Sequence, residues 1–192
     1  SVNPVQLKNL DNEIADFKVD PSPSWSGNTS ENGTITSSFT VKLKSKPLNN
    51  VSIPVSVSDP LEASFNRDNL TFTSDNYSLE QTVTLTGESD SVRDGNIPYK
   101  VEIGPSTSID GDPYHQRPKQ FLDLISLDNE TSGVTVDPIS VNTTENGGKA
   151  TFEVKLDTKP SDNVTIKLRS TDPGEGIISV SKLTFTVDNY SE

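Results

Sequence analysis

The chain lacks cysteine and methionine and contains a single histidine, His115. Without cysteine it forms neither disulfides nor thiolate metal sites, and one histidine cannot supply the pair that many zinc sites use. Secreted eukaryotic modules of this size often carry a disulfide, so its absence favours a bacterial source. Because there is no initiator methionine, we expect a processed product or a piece of a longer protein.

Hydrophobic residues are also scarce, at 30% of the 192 residues, and aromatic residues make up 6%. No apolar run approaches the roughly 20 residues that cross a bilayer, and no signal-peptide core is present. The apolar residues alternate with Thr, Ser and Asn, as in Phe39, Val41 and Leu43. This period of two predicts an all-β protein with a thin core, and a sandwich rather than a helical bundle.

Positive charge is limited, since 28 acidic residues face 16 basic ones and the net charge is −12. This balance argues against a nucleic-acid partner, because phosphate contacts need a basic face. It is compatible with a protein that binds cations, and equally with a well-solvated surface.

The second half of the chain repeats the first at a spacing of 113 to 117 residues. Segments of the two copies match in the same order along the chain, which is the signature of a repeat protein. The paired segments are Leu10–Glu13 with Leu127–Glu130, Glu31–Gly33 with Glu145–Gly147, Phe39–Pro47 with Phe152–Pro160, and Leu70–Tyr77 with Leu183–Tyr190.

The spacing predicts three parts: residues 1–12 as the last strand of a preceding repeat, 13–128 as a complete repeat, and 129–192 as the first half of the next. Half a sandwich is not stable alone. We therefore expect its apolar face to be covered by the rest of the repeat or by strand exchange with residues 1–12 of another chain. The residues of that face are Phe152, Val154, Leu156, Ile166, Leu168 and Phe185.

Seven strands are predicted in the complete repeat, separated by turn residues such as Lys46-Pro47-Leu48. Their approximate bounds are 15–19, 35–43, 51–58, 70–73, 81–86, 97–103 and 120–126.

The order of LTFT-x-x-N-Y, TVTLTG, an acidic loop ending in D-G, and a D-N-E boundary resembles the Calx-β family. It is most similar to the tandem Calx-β-like repeats of large bacterial surface proteins. The resemblance covers nearly the whole chain. It implies an immunoglobulin-like sandwich of two sheets, arranged in tandem with the second copy incomplete, and Ca²⁺ bound by loops at one end.

The resemblance also implies the calcium ligands, which would be Glu31, Asp90, Asp94, Asp128 and Glu130. In the second copy, Glu145 takes the position of Glu31. Calcium requires six to eight oxygen ligands, mainly carboxylates and carbonyls. The alternative interpretation is that Asp90 and Asp94 only cap a hairpin turn.

Other candidate sites are weaker. Asp110-Gly-Asp112 has a D-x-D spacing, but the twelfth residue of that stretch is Phe121 rather than the glutamate of an EF-hand, so a long connecting loop is predicted. The chain has no G-x-S-x-G elbow, and nothing in the sequence places two carboxylates in a cleft. We therefore predict that the protein is not an enzyme.

Trp25 lies in a polar insertion that only the first copy contains. Packing against the nearest strand is the first interpretation, and stacking on a sugar ring or a protein partner is the alternative. The predicted function is a non-enzymatic extracellular module of a bacterial surface protein, a stalk or adhesin segment with adjacent repeats as partners. The alternative function is a module that binds a glycan, or a host or matrix protein, through the Trp25 loop.

Overall fold

A computed structural model describes Leu7 and residues 12–23, 25–138 and 142–192. All regular secondary structure within these ranges is β-strand, which confirms the predicted all-β class. No described segment forms a helix with the length and hydropathy of a membrane span. The strands are β1 Phe17–Pro21, β2 Asn28–Ser30, β3 Thr36–Leu43, β4 Val51–Val57, β5 Ala63–Phe65, β6 Asn69–Phe72, β7 Gln81–Gly87, β8 Ile97–Ile103, β9 Gln120–Leu127, β10 Val134–Pro138, β11 Phe152–Leu156, β12 Val164–Lys167 and β13 Lys182–Phe185.

The chain divides into two compact units. Unit 1 consists of the described residues of Ser1–Glu88 together with Ile97–Leu127, and unit 2 consists of Ser89–Asn96 together with those of Asp128–Glu192. The segment 89–96 thus belongs to unit 2, although it lies between two strands of unit 1 in sequence. The strand predicted in residues 1–12 falls outside the described residues except for Leu7 and Asn12.

Unit 1 is a sandwich of two sheets, as predicted from the alternating pattern. One sheet has the strand order β1-β3-β7-β5, and the other has the order β2-β9-β8-β4-β6. Neighbouring strands are antiparallel except β2 and β9, which are parallel. The sequence pattern predicts seven strands, and the structure adds β2 and β5, each of three residues and therefore too short to show an alternation.

The core of unit 1 is built from every second residue of the long strands. In β3 these are Phe39, Val41 and Leu43, and Phe39 lies opposite Val83 of β7. Side chains of successive strand residues point to opposite faces, so this alternation places one set of residues between the two sheets. Full burial of each such side chain stabilises the fold by about 1.5–3 kcal/mol.

A long loop, residues 104–119, closes one end of the unit 1 core with Tyr114. The Tyr114 hydroxyl donates to the Ser45 carbonyl at 2.7 Å and accepts from the Ser45 N–H at 2.9 Å. Asp112 anchors the loop, because its carboxylate accepts from the Tyr114 N–H at 2.8 Å and from Asn49 Nδ2 at 3.1 Å. The D-x-D stretch therefore anchors a structural loop through Asp112.

The pKa of Asp112 reflects this anchoring. Partial removal of the carboxyl group from water raises its pKa. Hydrogen bonds from the Tyr114 N–H and the Asn49 side chain lower the pKa by more than this, so the net pKa lies below its ordinary value. The ionised form of Asp112 thus stabilises the folded state.

Unit 2 repeats two strand pairs of unit 1 in the same register. Val134 of β10 lies opposite Leu156 of β11, as Phe17 of β1 lies opposite Leu43 of β3. The β12–β13 pair likewise repeats the β4–β6 pair. The two copies of the sequence repeat therefore fold into equivalent local structures.

The apolar face for which the sequence predicted a cover from outside the half repeat is partly buried within unit 2 itself. Val154, Leu156 and Phe185 are buried in a small core with Tyr190 and Val164, which corrects the prediction for these three residues. Ile166 and Leu168 are half-buried, whereas Phe152 remains 44% exposed.

The LTFT-x-x-N-Y motif forms the same turn in both units. Asn76 Oδ1 accepts from the Thr73 N–H at 2.6 Å, and Asn189 Oδ1 accepts from the Thr186 N–H at 2.6 Å. The asparagine thus takes the role of a backbone acceptor and ends the strand. This local hydrogen bond is the physical reason for Thr and Asn at that spacing.

Replacing Tyr114 with phenylalanine should lower the free energy of unfolding of unit 1 by about 1–3 kcal/mol, because Ser45 then lacks its hydrogen-bond partner. Urea unfolding monitored by Trp25 fluorescence measures this. Tyr77→Phe is the matched control, since Tyr77 packs against the same core as Tyr114. Equal losses in the two variants would contradict the role assigned to the Tyr114 hydroxyl.

The lowered pKa of Asp112 predicts that the stability of unit 1 depends on pH. Its folded-state pKa lies below the unfolded value, so its stabilising contribution is present above the unfolded pKa of about 3.9 and is lost as the pH falls through the folded pKa. Asp112→Asn should therefore flatten the acid limb of unfolding free energy against pH. Urea midpoints at a series of pH values test this, with Asp75→Asn, at an exposed turn position, as the matched control.

Candidate metal centre

Three strands of unit 1 end beside one another, at the place from which the acidic segments leave the unit. Glu31 directly follows β2, and its N–H donates to the carbonyl of Leu127, the last residue of β9, at 3.2 Å. At the end of β7, a Cβ on Gly87 would lie 2.3 Å from the Ser30 carbonyl oxygen. Only glycine permits this approach, so Gly87 brings the ends of β7 and β2 together.

The Ser-Glu-Asn-Gly turn sets the position of Glu31. Gly33 has a φ of +69° and donates its N–H to the Ser30 carbonyl at 2.8 Å. Asn32 Oδ1 accepts from the Ser30 hydroxyl and the Thr34 N–H, which closes the turn. Glu31 is 4% exposed. The turn therefore holds a buried carboxylate at the end of unit 1 where β7 and β9 finish.

In unit 2, Asp128 connects the acidic loop, defined as Ser89–Asn96, with the segment that follows β9. Asp128 Oδ2 accepts from the Gly95 N–H at 2.7 Å, and Asp128 Oδ1 accepts from the Glu130 N–H at 2.8 Å. The Asp128 N–H in turn donates to Asn96 Oδ1 at 3.1 Å. Gly95 has a φ of +85°, which a side chain would make costly. These bonds fix the two acidic segments against each other.

The hydrogen bonds also determine the charge state of Asp128. Partial desolvation raises the pKa of its carboxyl group, but the N–H groups of Glu130 and Gly95 outweigh it, and Arg93 adds a favourable charge. The pKa therefore lies below the ordinary value, and Asp128 is ionised at neutral pH.

Asp90 and Glu130 bring two further carboxylates together in unit 2. Each offers an oxygen, and these two atoms lie within 4.8 Å of each other. Asp90 Oδ1 accepts from the Val92 N–H at 2.7 Å, and Glu130 Oε1 accepts from Asn129 Nδ2 at 2.9 Å. Two carboxylates at this distance repel each other unless a cation or a proton lies nearby.

The second oxygen of Glu130, Oε2, provides a test of whether a cation fits. It is buried and has no hydrogen-bond partner among the described residues. A buried carboxylate oxygen without a donor is costly, and a bound cation would remove that cost. The candidate ligand atoms are all oxygens, which suits Ca²⁺ and does not suit softer metals. Asp90 and Glu130 therefore fit a calcium ion.

Two of the other predicted ligands, Asp94 and Glu145, do not join this pair. Asp94 is exposed and lies outside the Asp90–Glu130 pair, and Glu145 is exposed in the turn bounded by Thr144 and Gly148. Glu31 belongs to unit 1. Asp128, whose two oxygens accept backbone N–H groups, organises the turn.

Trp25 is half-buried and packs against the core of unit 1. Its backbone N–H donates to the Ser22 carbonyl at 2.9 Å, which closes a turn within the insertion. Packing against the neighbouring strands, the first interpretation of this residue, is the arrangement in the structure.

No family model matches the chain, and no curated protein matches it. Among solved structures, the apo-form Calx CBD1 domain shares 11% identity over 59% of this chain and 97% of its own, with a TM-score of 0.38. The CsuC–CsuE chaperone–tip adhesion subunit complex of Acinetobacter baumannii shares 11% identity over 91% of both chains, with a TM-score of 0.41. The SafA pilin–SafB chaperone complex of Salmonella enterica shares 9% identity over 92% of this chain and 86% of the other, with a TM-score of 0.43. Likenesses this distant carry no argument about function, and the Calx-β resemblance stays a prediction.

Asp128→Ala should loosen the acidic turn even without calcium, because it removes the acceptor for the Gly95 and Glu130 N–H groups. Losing a hydrogen bond to a charged group costs about 1.5–3 kcal/mol, so these two amides should exchange with solvent at least tenfold faster. Hydrogen exchange followed by NMR in chelator measures this. Asp94→Ala is the control, and equal protection of Gly95 in all three proteins would contradict the role of Asp128.

Proposed function

We propose that the chain is a non-enzymatic module of an extracellular repeat protein on a bacterial surface, a stalk or adhesin segment whose acidic turn binds Ca²⁺. The observation that carries the calcium proposal is the approach of Asp90 and Glu130 with the unpartnered, buried Glu130 Oε2. The repeat spacing and the equivalent strand registers support a tandem module.

Each residue of the turn has a distinct role in this proposal. Asp90 and Glu130 supply carboxylate oxygens, and Asp128 holds both of their segments in place through the Gly95 and Glu130 N–H groups. Glu31, which belongs to unit 1, stays a candidate ligand on the sequence resemblance alone. A bound Ca²⁺ would neutralise the carboxylates and cross-link the segments.

The strength of binding follows from the number of carboxylates. With few carboxylates and the remaining oxygens from carbonyls and water, dissociation constants of extracellular calcium modules are about 10⁻⁴–10⁻³ M. Such a site is filled where calcium is abundant, which agrees with an extracellular location. Its effect is mechanical, since ordering the turn stiffens the connection between repeats.

Two other candidate residues have structural roles in unit 1. His115, the single histidine, has its Nδ1 within 2.8 Å of the Ser108 carbonyl oxygen, so it is used to fix its own loop. Trp25 packs against the core, which gives less support to binding of a glycan or a host protein through its loop. Strand exchange through residues 1–12 remains a prediction, because most of these residues lie outside the described part of the chain.

Calcium should raise the melting temperature saturably, with half of the effect at about 0.1–1 mM. Asp90→Asn and Glu130→Gln should each abolish most of this shift, whereas Asp188→Asn, at an exposed turn position of unit 2, should leave it intact. Magnesium should be a poor substitute, because it prefers a smaller octahedral shell. Identical melting curves in calcium and in chelator would refute the calcium proposal, as would an undiminished shift in both variants.

A further inference from the structure

In unit 2 the acidic loop lies in a groove beside the turn that follows β11. The Lys159 N–H donates to the Ser91 carbonyl at 2.8 Å, and Val92 forms a parallel bridge with Lys159. Val92 and Arg93 line a cavity of about 510 Å³ together with residues 158–164. The turn after β11 thus receives an extended segment with a small apolar residue at its centre.

Unit 1 contains the equivalent turn, after β3, at a spacing of 113 residues. The equivalence holds in the structure, because the Leu43 N–H donates to the Tyr77 carbonyl just as the Leu156 N–H donates to the Tyr190 carbonyl. Lys46 therefore corresponds to Lys159. A cavity of about 700 Å³ lies here, lined by residues 13–15, 44–48 and 77 and by part of the 104–119 loop. We call it the unit 1 groove.

The backbone of the unit 1 groove offers the same pairing site. The Tyr114 hydroxyl already engages both the N–H and the carbonyl of Ser45. The N–H and carbonyl of Lys46, however, make no hydrogen bond to a described residue. The equivalent N–H in unit 2, that of Lys159, donates to the Ser91 carbonyl. A similar segment can therefore pair with the Lys46 backbone in unit 1 in the way that Ser91 and Val92 pair with Lys159 in unit 2.

The side chains of the unit 1 groove match such a segment in charge and hydrophobicity. Leu48 is 79% exposed and Ile14 is 71% exposed, so an apolar surface is available for a residue like Val92. Lys44 is paired with Asp16 at 2.6 Å, whereas Lys46 has no ion pair among the described residues. In the stretch from Glu88 to Asn96 three acids outnumber one arginine, so its charge complements Lys46.

We propose that the unit 1 groove binds the acidic loop of another repeat of the same kind. The loop would form a strand bridge to the Lys46 backbone and place its central apolar residue against Ile14 and Leu48. This inference rests on the proposed repeat organisation for the identity of the partner, and it does not depend on calcium. It assigns the junction between successive repeats to a defined donor loop and a defined acceptor groove.

The test is a titration of the ¹⁵N-labelled full chain with a capped peptide, GESDSVRDGN, in the presence of chelator. Saturable amide shifts are expected at Ile14, Ser45, Lys46 and Leu48. A free peptide loses conformational freedom on binding, so the dissociation constant should be on the order of millimolar. The turn of residues 158–161 should not shift, because its own covalently attached loop has a much higher effective concentration.

Matched variants separate specific docking from general charge attraction. Lys46→Glu should weaken peptide binding about fivefold, whereas Arg67→Glu, at an exposed cation outside the groove, should leave it unchanged. A peptide with aspartate in place of valine should lose binding. Absence of saturable shifts at about ten millimolar peptide, an equal response to a scrambled peptide, or wild-type affinity in Lys46→Glu would overturn the proposal. Because chelator is present throughout, such a failure leaves the calcium titration as a separate test of the proposed function.

Discussion

The carboxylate of Asp128 accepts two backbone hydrogen bonds, from Gly95 and from Glu130, and the acidic turn of unit 2 depends on them. Both hydrogen bonds are charge-assisted, because the acceptor is an ionised carboxylate, and this makes them stronger than bonds between neutral groups. They hold the loop that contains Asp90 against the segment that contains Glu130. The oxygens of these two like charges lie within 4.8 Å of each other. The arrangement concentrates negative charge at a defined place, which a calcium ion would neutralise.

The sandwich of unit 1 determines where the acidic segments begin. Long alternating strands bury Phe39, Val41 and their partners, and this core fixes the ends of β7 and β9. Gly87 then lets the β7 end approach Ser30, and Leu127 accepts the Glu31 N–H. The same scaffold carries the unit 1 groove at the turn after β3, which lies at the opposite end of that strand from Thr36 and the Glu31 turn. Each complete repeat would thus have acidic segments at one end and an acceptor groove at the other, an arrangement suited to head-to-tail arrays.

The alternation of apolar residues predicted the long strands well, because a period of two over seven or eight residues is specific to strands that are buried on one face. It could not find β2 or β5, each of three residues, which depend on partners distant in sequence. Residue type indicated Asp90 and Glu130, but Asp94 and Glu145 have the same chemistry and lie elsewhere. The distinction depends on which segments the hydrogen bonds of Asp128 bring together, and that is decided by folding. The burial of Val154 and Leu156 likewise arises from packing with Phe185 and Tyr190 that no local pattern contains.

The most direct measurement is a calcium titration of the ¹⁵N-labelled chain, with amide chemical shifts read residue by residue. The Val92 N–H donates to the candidate ligand Asp90, and the Gly95 and Glu130 N–H groups donate to Asp128, which holds the turn, so all three amides report on charge in the acidic turn. The account predicts that these three amides show the largest shifts and that they saturate together with one dissociation constant. If calcium leaves them unmoved, or if the largest saturable shifts fall on the loop of Asp110 and Asp112, the calcium turn proposed here is wrong.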